Sequence, residues 1–115
     1  MQMDEIAFRD ARPIDGYGPG FFRIGGEVLR GAQLVLPGGV ESWPGYPAAE
    51  AAEAAPIDIL LVGTGGEIAP VPQDFTTRLE AAGIGVEPMA TPAACRTYNM
   101  LLAEGRRVGA ALLPV

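Results

Sequence analysis

The chain lacks two residue types on which many functional sites depend. It contains no histidine, so it offers neither a histidine general base nor a histidine metal ligand. It contains no lysine either, because all eight basic residues are arginines, and fourteen acidic residues give a formal net charge of −6. Nucleic-acid backbones are bound through clustered lysine and arginine, so this composition argues against a nucleic-acid partner.

Cysteine is almost absent. Cys95 is the only one, so the chain can form no intramolecular disulfide and suits a reducing compartment. The first five residues carry acids where an export signal would carry positive charge. The longest apolar stretch, around 57–62, is far shorter than the roughly 20 residues that cross a bilayer. We therefore expect a cytoplasmic protein with at most peripheral membrane contact.

The remaining composition is that of one folded domain. At 115 residues the chain is long enough for a real core and too short for two domains. Hydrophobic residues make up 49% and are spread along the chain, which argues against disorder. Residues 1–115 are therefore interpreted as a single domain.

The first half of the sequence has the pattern of short strands and turns. Phe21–Ile24 and Glu27–Arg30 are separated by Gly25-Gly26, and a Gly-Gly pair tolerates the positive φ of a tight hairpin turn. We expect the second strand to continue through 34–36. The other expectations for this half are a strand at 5–9, a long loop over 13–20 and an alanine-rich helix at 48–55.

The second half alternates between predicted strands and helices. A continuous apolar run over 58–62 is typical of a strand buried on both faces. A helix over 91–104 is predicted to open with Thr91 as N-cap and Pro92 at the first helical position. The remaining predictions are a helix over 74–82 that Gly83 stops, and strands over 84–89 and 108–113.

Gly63-Thr64-Gly65-Gly66 directly follows the apolar strand, at the position where open α/β sheets bind ligands. The N–H groups of this turn, the Thr91 hydroxyl and the Arg96 guanidinium could together bind a small anion or a nucleotide. The segment has neither the Lys-Ser/Thr of a P-loop nor dinucleotide-motif spacing. A sharp turn whose glycines serve only backbone geometry is the competing interpretation.

The predicted 91–104 helix carries further polar and reactive candidates. Cys95 lies in its first turns, where the helix dipole favours a thiolate. With no histidine to activate it, and with Tyr98 continuing the apolar stripe beside it, we interpret Cys95 as buried and inert. Arg96 and Asn99 share the more polar side and could meet an anion or a partner carboxylate, or simply form a solvated face.

No metal site or cofactor is predicted. The chain has no Cys/His cluster, and its acids lack calcium-loop spacing. An enzyme built on this sequence would need Asp, Glu or Tyr for every proton transfer, so we favour a non-catalytic protein. Trp43 and Tyr46 lie in a Pro/Gly loop, where we expect them to be partly exposed and to contact a protein partner; the alternative is that Trp43 closes the core.

Four segments taken together resemble one known family, namely the small domains that include mitochondrial complex I (NADH:ubiquinone oxidoreductase) assembly factor 3 and its prokaryotic relatives. The most specific part is the C-terminal third, with Asn99 and the closing Gly109-Ala110-Ala111-Leu112. The segments are Tyr17-Gly18-Pro19-Gly20-Phe21; Leu36-Pro37-Gly38-Gly39 with Trp43; Leu61-Val62-Gly63-Thr64-Gly65; and Thr91-Pro92-Ala93-Ala94-Cys95 through Glu104-Gly105-Arg106.

The resemblance implies a three-layer α/β sandwich with a central mixed sheet, an N-terminal hairpin region and C-terminal αβ repeats. For the mitochondrial branch it implies a non-catalytic role in building complex I with a partner assembly factor, and it implies no catalytic residues. The sequence lacks a mitochondrial presequence, which suggests a bacterial protein or a processed form.

Two functional hypotheses follow. The first is an interaction module for respiratory-complex assembly, whose partner is a complex I subunit or another assembly factor. The second is a small-anion or nucleotide-binding protein, or an enzyme, that uses the turn at 63–66 together with Thr91 and Arg96. We favour the first.

Overall fold

The computed structural model describes residues 12–115, so the strand expected at 5–9 lies outside the described residues. The helices are α1 (Glu50–Ala54), α2 (Gln73–Ala81) and α3 (Thr91–Ala103). The strands are β1 (Ile14–Gly18), β2 (Phe21–Ile24), β3 (Glu27–Arg30), β4 (Gln33–Leu36), β5 (Gly39–Ser42), β6 (Ile59–Thr64), β7 (Gly85–Met89) and β8 (Val108–Leu113).

The strands form two sheets. Strands β1, β2 and β3 make a small antiparallel sheet, and the other five form a central sheet in the order β5-β4-β8-β6-β7. In the central sheet β4 is antiparallel to both β5 and β8, whereas β6 is parallel to both β8 and β7. The expectation of an α/β fold with a mixed central sheet is confirmed.

The central strands send alternate side chains to two separate cores. Leu60 and Val62 face the core beneath α1 and α2, while Leu61 faces the core beneath α3 and the small sheet. Because a strand has a period of two, a continuous apolar run such as that of β6 supplies both layers at once. The central sheet therefore lies between two covering layers, as the three-layer expectation requires.

Both longer helices end in the same way, with a glycine in the left-handed region. After α2, the Gly83 N–H donates to the Glu80 carbonyl at 2.9 Å, and after α3, the Gly105 N–H donates to the Leu102 carbonyl at 3.0 Å. The following residue in each case donates to the carbonyl of the third-last helical residue, which completes a Schellman motif. The sequence prediction of glycine stops is therefore confirmed at both helices.

Two expectations for the first half were wrong. The strand that begins at Glu27 does not continue to Leu36, because Gly31 adopts φ +79° and the chain leaves the small sheet for the central one. The segment expected to be a loop over 13–20 contains β1, which pairs with β2. The alanine-rich helix forms, but it is shorter than expected and covers only Glu50–Ala54.

Candidate functional site

The turn after β6 and the start of α3 lie side by side, as the anion-site hypothesis expects. Helix α2, which follows β6, packs on one face of the central sheet, and α3, which follows β7, packs on the other. The carboxyl ends of β6 and β7 therefore border a topological switch point, which is where open α/β sheets bind ligands. The backbone joins the two segments directly, since the Thr91 N–H donates to the Gly65 carbonyl at 2.8 Å.

Polar groups at this point bond to one another. The Thr91 hydroxyl is fully buried, accepts the Gly65 N–H at 2.8 Å and donates to the Leu113 carbonyl at 2.6 Å. The Thr64 hydroxyl accepts the Ala69 N–H at 2.9 Å and donates to the Glu67 carbonyl at 2.8 Å. Two side chains thus close the turn and tie it to α3 and to the end of β8.

Thr91 does not serve as the N-cap, which corrects the sequence expectation. The N-cap position is Ala90, helix α3 begins at Thr91, and Pro92 lies in its first turn. The Thr91 side chain instead crosses to two other segments. Gly63 makes this approach possible, because a Cβ at that position would lie 2.7 Å from the Thr91 hydroxyl oxygen.

The other two polar candidates on α3 differ: Arg96 is exposed, and Asn99 forms hydrogen bonds within the fold. Arg96 is exposed, and among residues 12–115 it makes no side-chain hydrogen bond or ion pair. The Asn99 amide accepts the Ile14 N–H at 2.8 Å and donates to the Ile14 carbonyl at 2.7 Å. Asn99 therefore holds β1 against α3 as an extra strand partner would, and its contact with an anion or a partner carboxylate stays a prediction.

Cys95 is buried, as the sequence predicts. It is 4% exposed within the α3 core, and burial raises the pKa of its thiol to about 11, against a smaller lowering by Arg96. At neutral pH the group is a thiol, which is a poor nucleophile. Its lack of covalent chemistry stays a prediction, and this environment favours it.

Trp43 is not a surface residue, so the expectation of its partial exposure was wrong. Only 5% of it is exposed, and its indole N–H donates to the Ala48 carbonyl at 3.0 Å. Its ring meets Tyr46 edge-on at 5.3 Å between centroids and Phe75 at 6.0 Å. The alternative, in which Trp43 closes the core, matches this geometry, and Tyr46 is half-buried at the rim of the same aromatic cluster.

The sequence reasoning missed two grooves that flank α1. One, of about 340 Å³, lies between the β4–β5 hairpin and the end of α1; the other, of about 360 Å³, lies between β5 and the start of α1. Glu41 of β5 and Ala51 of α1 line both of them. No local signal reveals such grooves, because they arise where α1 is too short to cover the edge of the sheet.

Charge is distributed unequally along the chain. Residues 32–90, which include α1 and α2, carry eight acidic side chains and one arginine. Residues 12–31 and 91–115, which form the small sheet, α3 and β8, carry six arginines and three acids. The single arginine of the acidic segment, Arg78, pairs with Glu53 at 2.9 Å and lowers the pKa of that carboxyl by hydrogen bonding.

Residues 12–115 contain no group of three or more Cys, Asp or Glu side chains arranged to hold a metal ion. Within the same range no helix has the length and apolar character that a membrane span requires.

Known proteins resemble this chain along most of its length. The family model described as protein of unknown function (DUF498/DUF598) matches residues 14–113. A Rhodobacter capsulatus protein described as uncharacterized is 52% identical over 113 residues, which cover 96% of this chain and 91% of that protein. Human NADH dehydrogenase (ubiquinone) 1 alpha subcomplex assembly factor 3 is 34% identical over 110 residues.

The human match covers 88% of this chain but only 60% of the human protein. Among solved structures, the crystal structure of a Bordetella parapertussis protein superposes with a TM-score of 0.80 at 38% identity, covering 91% of this chain and 97% of that one. The resemblance first indicated by four short segments is confirmed by these matches.

Proposed function

The chain belongs to the DUF498/DUF598 family, and on that premise we propose that it is a non-catalytic protein-interaction module that takes part in assembling respiratory complex I. The observation that carries the proposal is the 34% identity to human assembly factor 3, which extends over 88% of this chain. The partner would be a subunit of the NADH dehydrogenase or another assembly protein. We also propose a cytoplasmic location, which the single free, buried cysteine suits.

The geometry of the switch point supports a structural role over a catalytic one. The Thr91 hydroxyl and the Gly65 N–H, which a bound anion would need as donors, bond to neighbouring atoms of the chain. Cys95 is buried with a raised thiol pKa, and Asn99 is committed to β1. Thr91 and Asn99 therefore hold elements together, whereas Arg96 is exposed, and the two grooves lie beside α1.

The test is affinity capture of the tagged full chain from a bacterium that encodes it, followed by mass spectrometry. We expect NADH dehydrogenase subunits or their assembly proteins to be enriched over a sample that carries the tag alone. Deleting the gene should also reduce the amount of assembled complex I in the membrane. Capture without any respiratory protein, together with normal complex I in the deletion strain, would contradict the proposal.

A further inference from the structure

The central sheet has two edges, and they differ in their capacity to pair with another strand. At one edge β7 contains Pro88, which lacks the N–H that an added strand would need to bond. At the other edge β5 contains no proline, and among residues 12–115 no strand lies beyond it. Edge β5 is therefore the more receptive of the two.

The hydrogen-bond pattern of the β4–β5 hairpin shows which backbone groups of β5 point outward. Just beyond the paired residues, the Trp43 N–H donates to the Ala32 carbonyl at 3.0 Å, so the backbone of Trp43 faces β4. Alternate residues of an antiparallel strand face opposite sides, so the N–H and C=O of Val40 and Ser42 point away from β4. These four backbone groups have the spacing at which an additional strand forms hydrogen bonds.

The side chains beside this edge define what an added strand would carry. Glu41 is opposite Leu34, so its side chain lies on the face of the sheet that α1 covers, where it lines both grooves. The walls include four alanines and two prolines, and Glu50 at the start of α1 lines the second groove. No arginine among residues 12–115 pairs with Glu41.

We propose that β5 accepts an extended segment of a partner protein by strand addition, and that this segment alternates basic with apolar residues. Arginine or lysine on the groove side lays its aliphatic stem along the alanines and brings its charge to Glu41 and Glu50. Apolar residues on the opposite side extend the sheet beside the half-buried Val40. The proposal rests on the interaction role proposed above and names the chemistry of the partner.

A second copy of this chain is a poorer occupant for the same edge. Two β5 strands related by a twofold axis use all four outward groups of each copy when Val40 of one lies opposite Ser42 of the other. That register places the two Glu41 side chains directly opposite each other, and like charges in this position destabilise the pair. A segment of opposite charge removes this repulsion.

The experiment is an NMR titration of the isotope-labelled full chain with the acetylated, amidated peptide Val-Arg-Val-Arg-Val-Arg-Val. We expect saturable shifts along β5 and slower hydrogen exchange at the Val40 and Ser42 amides. A matched peptide with glutamate in place of arginine should not bind. Glu41→Gln should weaken binding about two- to fivefold, the size of one cross-strand ion pair, whereas Glu87→Gln on the other edge should leave the affinity unchanged.

Val40→Pro tests the backbone contribution separately. It removes an outward N–H while leaving the bonds to β4, so the hairpin should persist by NMR and peptide binding should be lost. Unchanged binding by Val40→Pro, equal binding of the glutamate peptide, or no shifts along β5 would each overturn the inference. So would protection of the Val40 and Ser42 amides before peptide is added, or a β5-dependent dimer in sedimentation.

The two proposals fail in distinguishable ways. If respiratory proteins are captured but the peptide does not bind at β5, the interaction role stands and strand addition is wrong. If the peptide binds at β5 and no respiratory protein is captured, strand addition stands and the assembly role is wrong.

Discussion

The two covering layers of the central sheet are held in different ways. On the α3 side, buried or half-buried polar side chains bond to the backbone of distant segments: Thr91 to Gly65 and Leu113, Asn99 to Ile14, and the Tyr98 hydroxyl to the Arg12 carbonyl at 3.0 Å. On the other side, the layer consists of a five-residue helix, a nine-residue helix and a cluster of aromatic rings. Both sides have an apolar core, but the α3 side adds several side-chain bonds to the backbone of distant segments, whereas the α1 side adds the Trp43–Ala48 bond and the Arg78–Glu53 ion pair.

This difference indicates which side is free to take part in binding. A buried side chain that bonds to two backbone groups cannot give up those bonds without leaving them unpaired, at a cost of about 1–3 kcal/mol for each group. The α3 side is therefore a fixed support. The α1 side has grooves, it belongs to the acidic segment of the chain, and no other strand of residues 12–115 pairs with the β5 edge beside it.

The largest expected effect comes from Trp43→Ala, which removes the centre of the aromatic cluster. Loss of a buried tryptophan leaves a cavity, so we expect the free energy of unfolding to fall by about 3–5 kcal/mol in urea denaturation. Trp43→Phe keeps a ring for Tyr46 and Phe75 but leaves the Ala48 carbonyl without its indole donor, so it should cost less. A loss below 1 kcal/mol for Trp43→Ala would show that the α1 side does not depend on this packing.

The next largest effect is a loss of stability at alkaline pH, which arises from Cys95 and Tyr98 in the core beneath α3. Burial raises the pKa of Cys95 from 9.0 to about 11 and that of Tyr98 from 10.0 to about 12. In the unfolded chain these groups lose their protons at a lower pH than in the folded protein. Their contribution to the free energy of unfolding is therefore complete below about pH 9 and declines as the pH rises towards 11 and 12. For Cys95 the decline is on the order of 2 kcal/mol.

Urea denaturation measured from pH 8 to pH 11 checks this trend, and Cys95→Ala is the matched control because it removes the earlier part of the decline. Iodoacetamide should label Cys95 slowly at neutral pH in the native protein. Rapid labelling with a low apparent thiol pKa would contradict both the burial and the inert role of Cys95.

Local signals predicted the second half of the fold well. The apolar run of β6, the proline at the start of α3 and the glycines after both longer helices each act within a few residues, so the sequence displays them directly. The break at Gly31 was missed because β3 and β4 are both short strands of apolar and polar residues. The two strands differ only in their pairing partners: β3 pairs with the neighbouring β2, whereas β4 pairs with β8, nearly 80 residues away.

The candidate site was predicted in its location but not in its chemistry. Sequence order alone placed Gly65 and Thr91 near the ends of neighbouring parallel strands, and they do meet. Their bonding to each other, and the burial of Trp43 by Phe75, depend on packing between segments more than 20 residues apart. The grooves beside α1 are equally long-range, because they are spaces that no residue pattern encodes.

Thr91→Val tests whether the α3 side depends on directional bonds. Valine keeps the shape of threonine but leaves the Gly65 N–H and the Leu113 carbonyl without their shared hydroxyl. Gly65 and Leu113 are only half-buried, so water replaces part of what the two groups lose, and we expect a total loss of about 1–3 kcal/mol. Thr91→Ser keeps the hydroxyl and should cost less. If Thr91→Ser proves the more destabilising of the two, packing of the methyl group is what matters and the contrast between the two sides is weaker than described.

The smallest expected effect is that of phosphate on the turn at the switch point. A helix N-terminus favours a negative charge by only about 0.3–1 kcal/mol at an exposed site, and here the Gly65 N–H and the Thr91 hydroxyl already have partners. Arg96 is the remaining attraction for an anion, and the net negative charge of the chain opposes it. We therefore expect no clustered amide shifts at Gly65, Gly66 and Thr91 in an NMR titration with millimolar phosphate, and no difference when Arg96→Ala is titrated in parallel. Saturable shifts at these three amides that Arg96→Ala abolishes would restore the anion-site hypothesis and would place a binding function on the α3 side, where the bonding pattern predicts a support.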